Sequence, residues 1–254
     1  KEMFLLECCV DSVESAMAAV AGGANRLELC GNLPIGGTTP EPALLRQIRR
    51  RFVEDGIHWV KIRCLIRPRF GDFLYSEAEI EILTRQAEAF SKAGADALVI
   101  GCLTADGQLD TEVLNRIMDA GKGTPYNLHR AFDMCRDLDE TLETARKLGI
   151  VSILTSGGVA SAPDGIQTLN RLKQNAGNVD IMAGAGINSQ NLSYMLERSD
   201  LTAFHMSGKK VLPSQMKYRN PHVNMGMPGF SEYEILRTDT KEIQKARAVL
   251  DSWK

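Results

Sequence analysis

The chain has 254 residues, with 30 basic against 32 acidic side chains for a formal net charge of −2, and 44% of it is hydrophobic. This is ordinary globular composition, which excludes collagen-like, low-complexity and disordered chains, and the near-neutral balance argues against nucleic acid or an anionic membrane as the main partner. No apolar run approaches the ~18–20 residues of a membrane span, the stretch Lys1 to Asp11 lacks the features of a secretory signal, and six cysteines are too sparse for a disulfide scaffold, so a cytosolic chain with reduced thiols is expected.

Short apolar runs alternate with amphipathic helical patterns along the whole chain. Phe4–Val10 reads as a strand and Ser12–Ala21 as its helix, ended by Gly22-Gly23. Arg26–Cys30 is the second strand, followed by a Gly/Pro loop at Gly31–Pro40 and a helix at Glu41–Phe52. The pairs Trp59–Ile66 with Glu77–Ala93, Leu98–Leu103 with Thr111–Ala120, and Tyr126–Ala131 with Asp137–Leu148 follow. Ser152–Ser156 with Gly165–Asn175 and Asp180–Ala185 with Ser189–Arg198 come next, then strand eight at Ala203–Ser207, with Thr238–Trp253 closing the chain. Regular alternation implies parallel strands with helices outside, and eight such units predict a single closed (β/α)8 barrel, with an open doubly wound sheet as the alternative. No composition break marks a second domain, so one domain is expected over residues 1–254, with a long connection at about 209–237.

Strands of such a barrel are buried on both faces, so the charges they carry need a reason. Side chains alternate with period two, which puts Glu7 with Cys9, and Glu28 with Cys30, on one face. Arg63 and Arg67 share a face of strand three, with Cys64 on the other. His129 and Asp133 close strand five, and His205 and Ser207 close strand eight. Gathered at the carboxyl end of the barrel, where sites of this fold lie, the set permits three readings. It is a structural charge network, or a catalytic site with Glu7, Glu28, His129 or Asp133 moving protons and Arg63 and Arg67 holding an anion, or a soft-metal site at the Cys9 and Cys30 thiols.

Glycine-bearing strand ends recur at Ser156-Gly157-Gly158, Gly184-Ala185-Gly186 and Ser207-Gly208-Lys209. They read as backbone cradles for an anionic small molecule, or as tight turns. Met216, His222, Met225 and Met227 punctuate the long connection, which reads as a packing lid or subunit contact before it reads as a copper ligand set.

Several motifs together resemble one family. Glu7-Cys8-Cys9-Val10-Asp11-Ser12, Arg26-Leu27-Glu28-Leu29-Cys30, Gly36-Gly37-Thr38-Thr39-Pro40 and Arg67-Pro68-Arg69 are similar to the CutC copper-homeostasis family, in its bacterial members. So are His129-Arg130-Ala131-Phe132-Asp133, Leu154-Thr155-Ser156-Gly157-Gly158 and Phe204-His205-Met206-Ser207-Gly208. The resemblance implies a (β/α)8 barrel, a cytoplasmic location, a homodimer or higher homo-oligomer, and copper as partner. It also implies Cys9 and Cys30 as the Cu(I) thiolates. The expected function is therefore copper homeostasis through Cu(I) at the barrel mouth, with no organic cofactor. The alternative is an enzyme for a small phosphorylated or carboxylated metabolite.

Overall fold

The computed structural model describes residues 4–253. Of the leading stretch and the domain span read above, residues 1–3 and 254 lie outside them. Eight parallel strands close in chain order: β1 (Leu5–Val10), β2 (Arg26–Leu29), β3 (Lys61–Leu65), β4 (Ala97–Ile100), β5 (Tyr126–Leu128), β6 (Ser152–Thr155), β7 (Asp180–Ala183) and β8 (Ala203–Met206). Helices α1 (Val13–Ala21), α2 (Pro42–Glu54), α3 (Glu77–Lys92), α4 (Thr111–Ala120), α5 (Leu138–Leu148), α6 (Ile166–Asn175), α7 (Leu192–Arg198) and α8 (Thr240–Ser252) surround them. The fold is the expected (β/α)8 TIM barrel. None of its helices, among the described residues, is long and apolar enough to cross a membrane.

The alternation of the strands sorts their side chains into two environments. Outward residues such as Leu6, Leu27, Ile62, Leu98, Ile153, Ile181 and Phe204 join Leu45, Leu83, Leu114, Leu169 and Met195 of the helices in one large apolar core. The inward apolar residues form only two small clusters, Leu5 with Leu154, Met182 and Ala203, and Cys9 with Cys30, Leu65 and Val99. Buried polar side chains supply much of the rest: Glu7, Arg26, Glu28, Arg63, Asn127, Ser152 and His205. Local chemistry sets the helix ends. Ser76 caps α3 in a reciprocal capping box with Glu79, and Gly149 ends α5 in the left-handed conformation that glycine tolerates.

Two elements depart from the sequence expectation. Strand five ends at Leu128, because His129 turns the chain into a short 3-10 helix at Arg130–Met134 and its own side chain caps that turn. The segment read as a long loop begins and ends as an antiparallel ribbon, β9 (Lys209–Pro213) with β10 (Glu234–Thr238), in which Lys209 faces Thr238. The ribbon is pinned at its base. Thr238 N–H donates to Ser15 Oγ at 3.0 Å and Asp239 N–H donates to Gly208 O at 2.7 Å.

Ile243 of α8 seats the last helix on the first unit. It is fully buried, and a Cβ at Gly22 would lie 2.5 Å from its Cβ, while a Cβ at Gly208 would lie 2.6 Å from its Cδ1. Gly22 has an ordinary helical φ of −78°, so close approach is its reason for being glycine. Gly22→Ala is expected to lower unfolding free energy by about 1–3 kcal/mol through overpacking, and Ile243→Ala by about 2–5 kcal/mol through the cavity. Urea unfolding of the double variant should show most of both losses, because Ile243→Ala keeps the Cβ that the new methyl meets at 2.5 Å and removes only the Cγ2 contact at 2.7 Å.

Candidate functional site

The strand register builds the site in two tiers. Glu7 lies opposite Arg26 on β2 and His205 on β8. Two residues further on, Cys9 lies opposite Glu28, which lies opposite Arg63 of β3. The lower tier centres on Glu7, which is completely buried. Its carboxylate pairs closely with the Arg26 guanidinium, lies 3.6 Å from Arg63 Nη1, and accepts from His205 Nδ1 at 2.8 Å. Burial alone would raise this carboxyl, but Arg26 and Arg63 outweigh burial and hold it well below the usual carboxylate range. Arg63 is also tied to Ser152 Oγ at 3.2 Å.

The upper tier opens into a cavity of about 800 Å³ at the carboxyl end of the barrel. Among its lining residues are Cys9, Glu28, Arg67, Phe73, His129 and His205. Glu28 is 6% exposed and forms no ion pair within 4 Å among the described residues; its hydrogen-bond partner is the Cys30 thiol, which donates to Oε1 at 3.3 Å. Burial pushes Glu28 above the usual carboxylate range, with the Glu7 charge adding to the rise against the pull of His205. Burial also pushes the Cys30 thiol far up, with Glu28 adding to it, so Cys30 is a protonated donor. For His205 burial opposes charge, but Cys9 and Glu7 outweigh it and push the imidazole well above its ordinary value. His129 is the opposite case. Burial, then the Arg67 charge, bring it down to about 3, and its Nδ1 accepts from Ala131 N–H at 3.1 Å.

The structure places the sequence candidates unequally. Cys9, Glu28, Arg67, His129, Asp133, Gly186, His205, Ser207 and Gly208 line the cavity, whereas Glu7, Cys30 and Arg63 are packed away from its wall. The end of strand six already holds an anion of the chain itself. Asp133 accepts from Ser156 N–H at 3.0 Å, Gly158 N–H at 2.9 Å and the Thr155 hydroxyl at 2.5 Å, and it pairs with Arg130 Nε at 2.8 Å. Gly157 N–H instead donates to Thr155 Oγ1 at 2.9 Å. Gly184 leaves room for a neighbour, since a Cβ there would lie 2.4 Å from Leu154 Cδ1. The sequence reading missed Arg26, although its spacing from Glu28 puts both on one face. It also missed Phe73, in the loop after β3, and Glu242, on the last helix, neither of which carries a periodic signal, while Ala185 of the glycine-bearing end of strand seven lies on the cavity wall with φ +75°.

The donor set for a soft ion consists of two thiols. Cys9 and Cys30 share one buried cluster, but Cys30 Sγ–H is engaged with Glu28, and Cys9 Sγ lies 3.8 Å from Met206 O. Among the described residues no group of three or more His, Cys, Asp or Glu side chains is arranged to hold a metal ion.

Folded His129 stays neutral down to about 3, while the unfolded chain takes up a proton near 6.5. Acid therefore favours the unfolded state across that window, by up to about 1.4 kcal/mol per pH unit from this group. His129→Gln should lose less stability than the wild type between pH 6.5 and about 3, as read from urea midpoints at each pH.

The chain belongs to the CutC family, whose model matches residues 4–210. It is 41% identical to a CutC family protein of Bacteroides fragilis over 95% of each chain. It is 42% identical to the human protein named copper homeostasis protein cutC homolog, over 97% of this chain and 89% of that one. A crystal structure of CutC from Streptococcus agalactiae superposes with a TM-score of 0.75 at 28% identity, covering 80% of this chain and 98% of that one.

Proposed function

We propose that the barrel mouth is a catalytic pocket in which Glu28 moves a proton on a small polar metabolite. The contrast between two buried glutamates carries this reading. Glu7 is neutralised by two arginines, whereas Glu28, at the cavity wall, meets a thiol and no cation within ion-pair distance. Environments that drive two carboxyls apart separate a permanent anion from a group able to exchange its proton near neutral pH. Cys30 acts here as a positioning residue, its S–H fixing the Glu28 carboxyl. Lys209 on the wall favours a carboxylate or phosphate elsewhere on the substrate. Six free cysteines suit a reducing cytosol. The exposed Met216, Tyr218, Met225 and Phe230 at the ribbon tip suit contact with a second copy of the chain.

The test uses purified protein and a cell extract of small metabolites in deuterium oxide. The wild type should deplete, or deuterate at carbon, at least one metabolite, and Glu28→Gln should slow that at least 100-fold while melting within a few degrees of the wild type. Identical extracts from the two proteins would overturn the assignment.

A second reading is favoured by the two thiols in one buried cluster and by the names of the relatives. Cu(I) would be cargo at Cys9 and Cys30. Thiolate is the ligand that Cu(I) prefers, and binding would release the thiol protons. Competitive titration under reducing conditions should then show one Cu(I) per chain, proton release, and at least about 100-fold weaker binding in Cys9→Ser/Cys30→Ser. Unchanged affinity in that variant would remove the reading.

A further inference from the structure

We propose that His129 and Arg67 form the electrophilic half of this site: two N–H donors that hold the carbonyl oxygen of a small aldehyde or ketone bearing a hydroxyl and a hydrogen on the adjacent carbon. The proposal deepens the proton-transfer reading and rests on Glu28 as the group that takes that hydrogen.

Three observations lead to it. First, His129 accepts the Ala131 N–H at Nδ1, so a neutral ring carries its proton on Nε2. That atom is buried and has no hydrogen-bond partner among the described residues. Second, Arg67 gives its terminal nitrogens to the Gly36, Gly37 and Gly71 carbonyls, which fixes the guanidinium, yet its buried Nε has no partner in hydrogen-bond geometry among the described residues, and neither has the hydroxyl of Tyr75, which interacts with the Arg67 side chain. A buried N–H left unpaired in both of two cavity residues is a costly arrangement unless something else accepts from them. Third, the surroundings hold the two groups together. The Phe73 ring lies 5.1 Å from the His129 ring and 5.0 Å from the Arg67 guanidinium carbon. Gly101 makes room for the imidazole, since a Cβ there would stand 2.4 Å from His129 Cε1.

The chemistry balances without a further reactant. The Glu28 carboxylate takes the proton from the carbon next to the carbonyl. The C–H electron pair becomes the new C=C bond, and the carbonyl π pair moves to oxygen, where the two N–H groups stabilise the developing charge. Return of the proton to either carbon, with proton exchange at oxygen, gives an isomerised or epimerised product. A neutral imidazole and a fixed guanidinium suit this role, because both stabilise charge on oxygen without surrendering a proton to water.

The probe is glycolohydroxamate, a planar mimic of an enediolate, titrated calorimetrically into the full chain. The wild type should bind it. His129→Ala should bind at least about 30-fold more weakly, and His129→Gln, which restores an N–H, should recover part of the loss. Arg67→Lys supplies a second variant should His129→Ala fail to fold, and it should also weaken binding at least about ten-fold. Absence of wild-type binding, or equal binding by the wild type and the His129 and Arg67 variants, would overturn the proposal. The two readings fail separately. If Glu28→Gln stops metabolite turnover but the wild type ignores the hydroxamate, the carbonyl assignment falls and proton transfer stands. If hydroxamate binding depends on His129 but Glu28→Gln leaves turnover intact, Glu28 falls and the donor pair stands.

Discussion

The buried ion cluster of Glu7 with Arg26 and Arg63 is the interaction on which the rest of the barrel interior depends. Removing an ionised carboxylate and two guanidinium groups from water is expensive, and such a cluster is tolerated only when every member is paired. Here each member is. Arg26 comes from the strand next to Glu7, Arg63 reaches across to it from β3 with a further bond to Ser152, and His205 closes the ring from β8. Four strands of the ring are thereby locked in register by one carboxylate. The same cluster sets the electrostatics above it. Because Glu7 consumes both arginines, Glu28 is left without a cation at ion-pair distance, and burial then decides its protonation. The asymmetry of the mouth is thus a product of the tier beneath it.

The fold was legible because period-two alternation and helical periodicity are local properties. Eight repeats of the same strand and helix pattern left little choice of architecture, and the same alternation put Glu7, Cys9, Glu28 and Arg63 inward. Depth along the barrel axis was not legible. Whether Glu7 or Glu28 meets the cavity depends on the stagger between neighbouring strands, which pairs Cys9 with Glu28 and Glu7 with Arg26. Nothing in either strand alone encodes that offset. Arg26 was passed over for a related reason, since a charge at a strand's first residue usually faces solvent. The ribbon of β9 and β10 escaped notice because its apolar residues, Val211-Leu212 and Ile235-Leu236, are consecutive and do not alternate, and because its strands meet across an intervening segment of some twenty residues (214–233).

The glycine-bearing strand ends show how one sequence feature serves different physical ends. At strand six the backbone N–H groups of Ser156 and Gly158 close on Asp133, which fastens the 3-10 turn after β5 to the end of β6. That turn begins at His129, so the Asp133 clamp also determines where the imidazole sits. Gly184 and Gly101 accommodate the side chains of Leu154 and His129. Strand-end glycine therefore signals close approach in general, and only the coordinates distinguish a ligand from a neighbouring side chain.

The two readings of the mouth make opposite demands on the same sulfur. As a positioning donor, Cys30 must keep its proton, and complete burial beside the Glu28 carboxyl favours that state. As a Cu(I) ligand it must lose the proton, which puts a thiolate against Glu28 and raises the free energy of the carboxylate further. The lower tier cannot relieve this, because Arg26 and Arg63 are already held by Glu7. His205, hydrogen-bonded to Glu7 from its Nδ1, is the remaining positive group in reach of Cys9 and Glu28. Under the two proposals metal occupancy and acid–base work at Glu28 would exclude each other, because a soft ion bound at both thiols would withdraw the donor that orients the carboxyl.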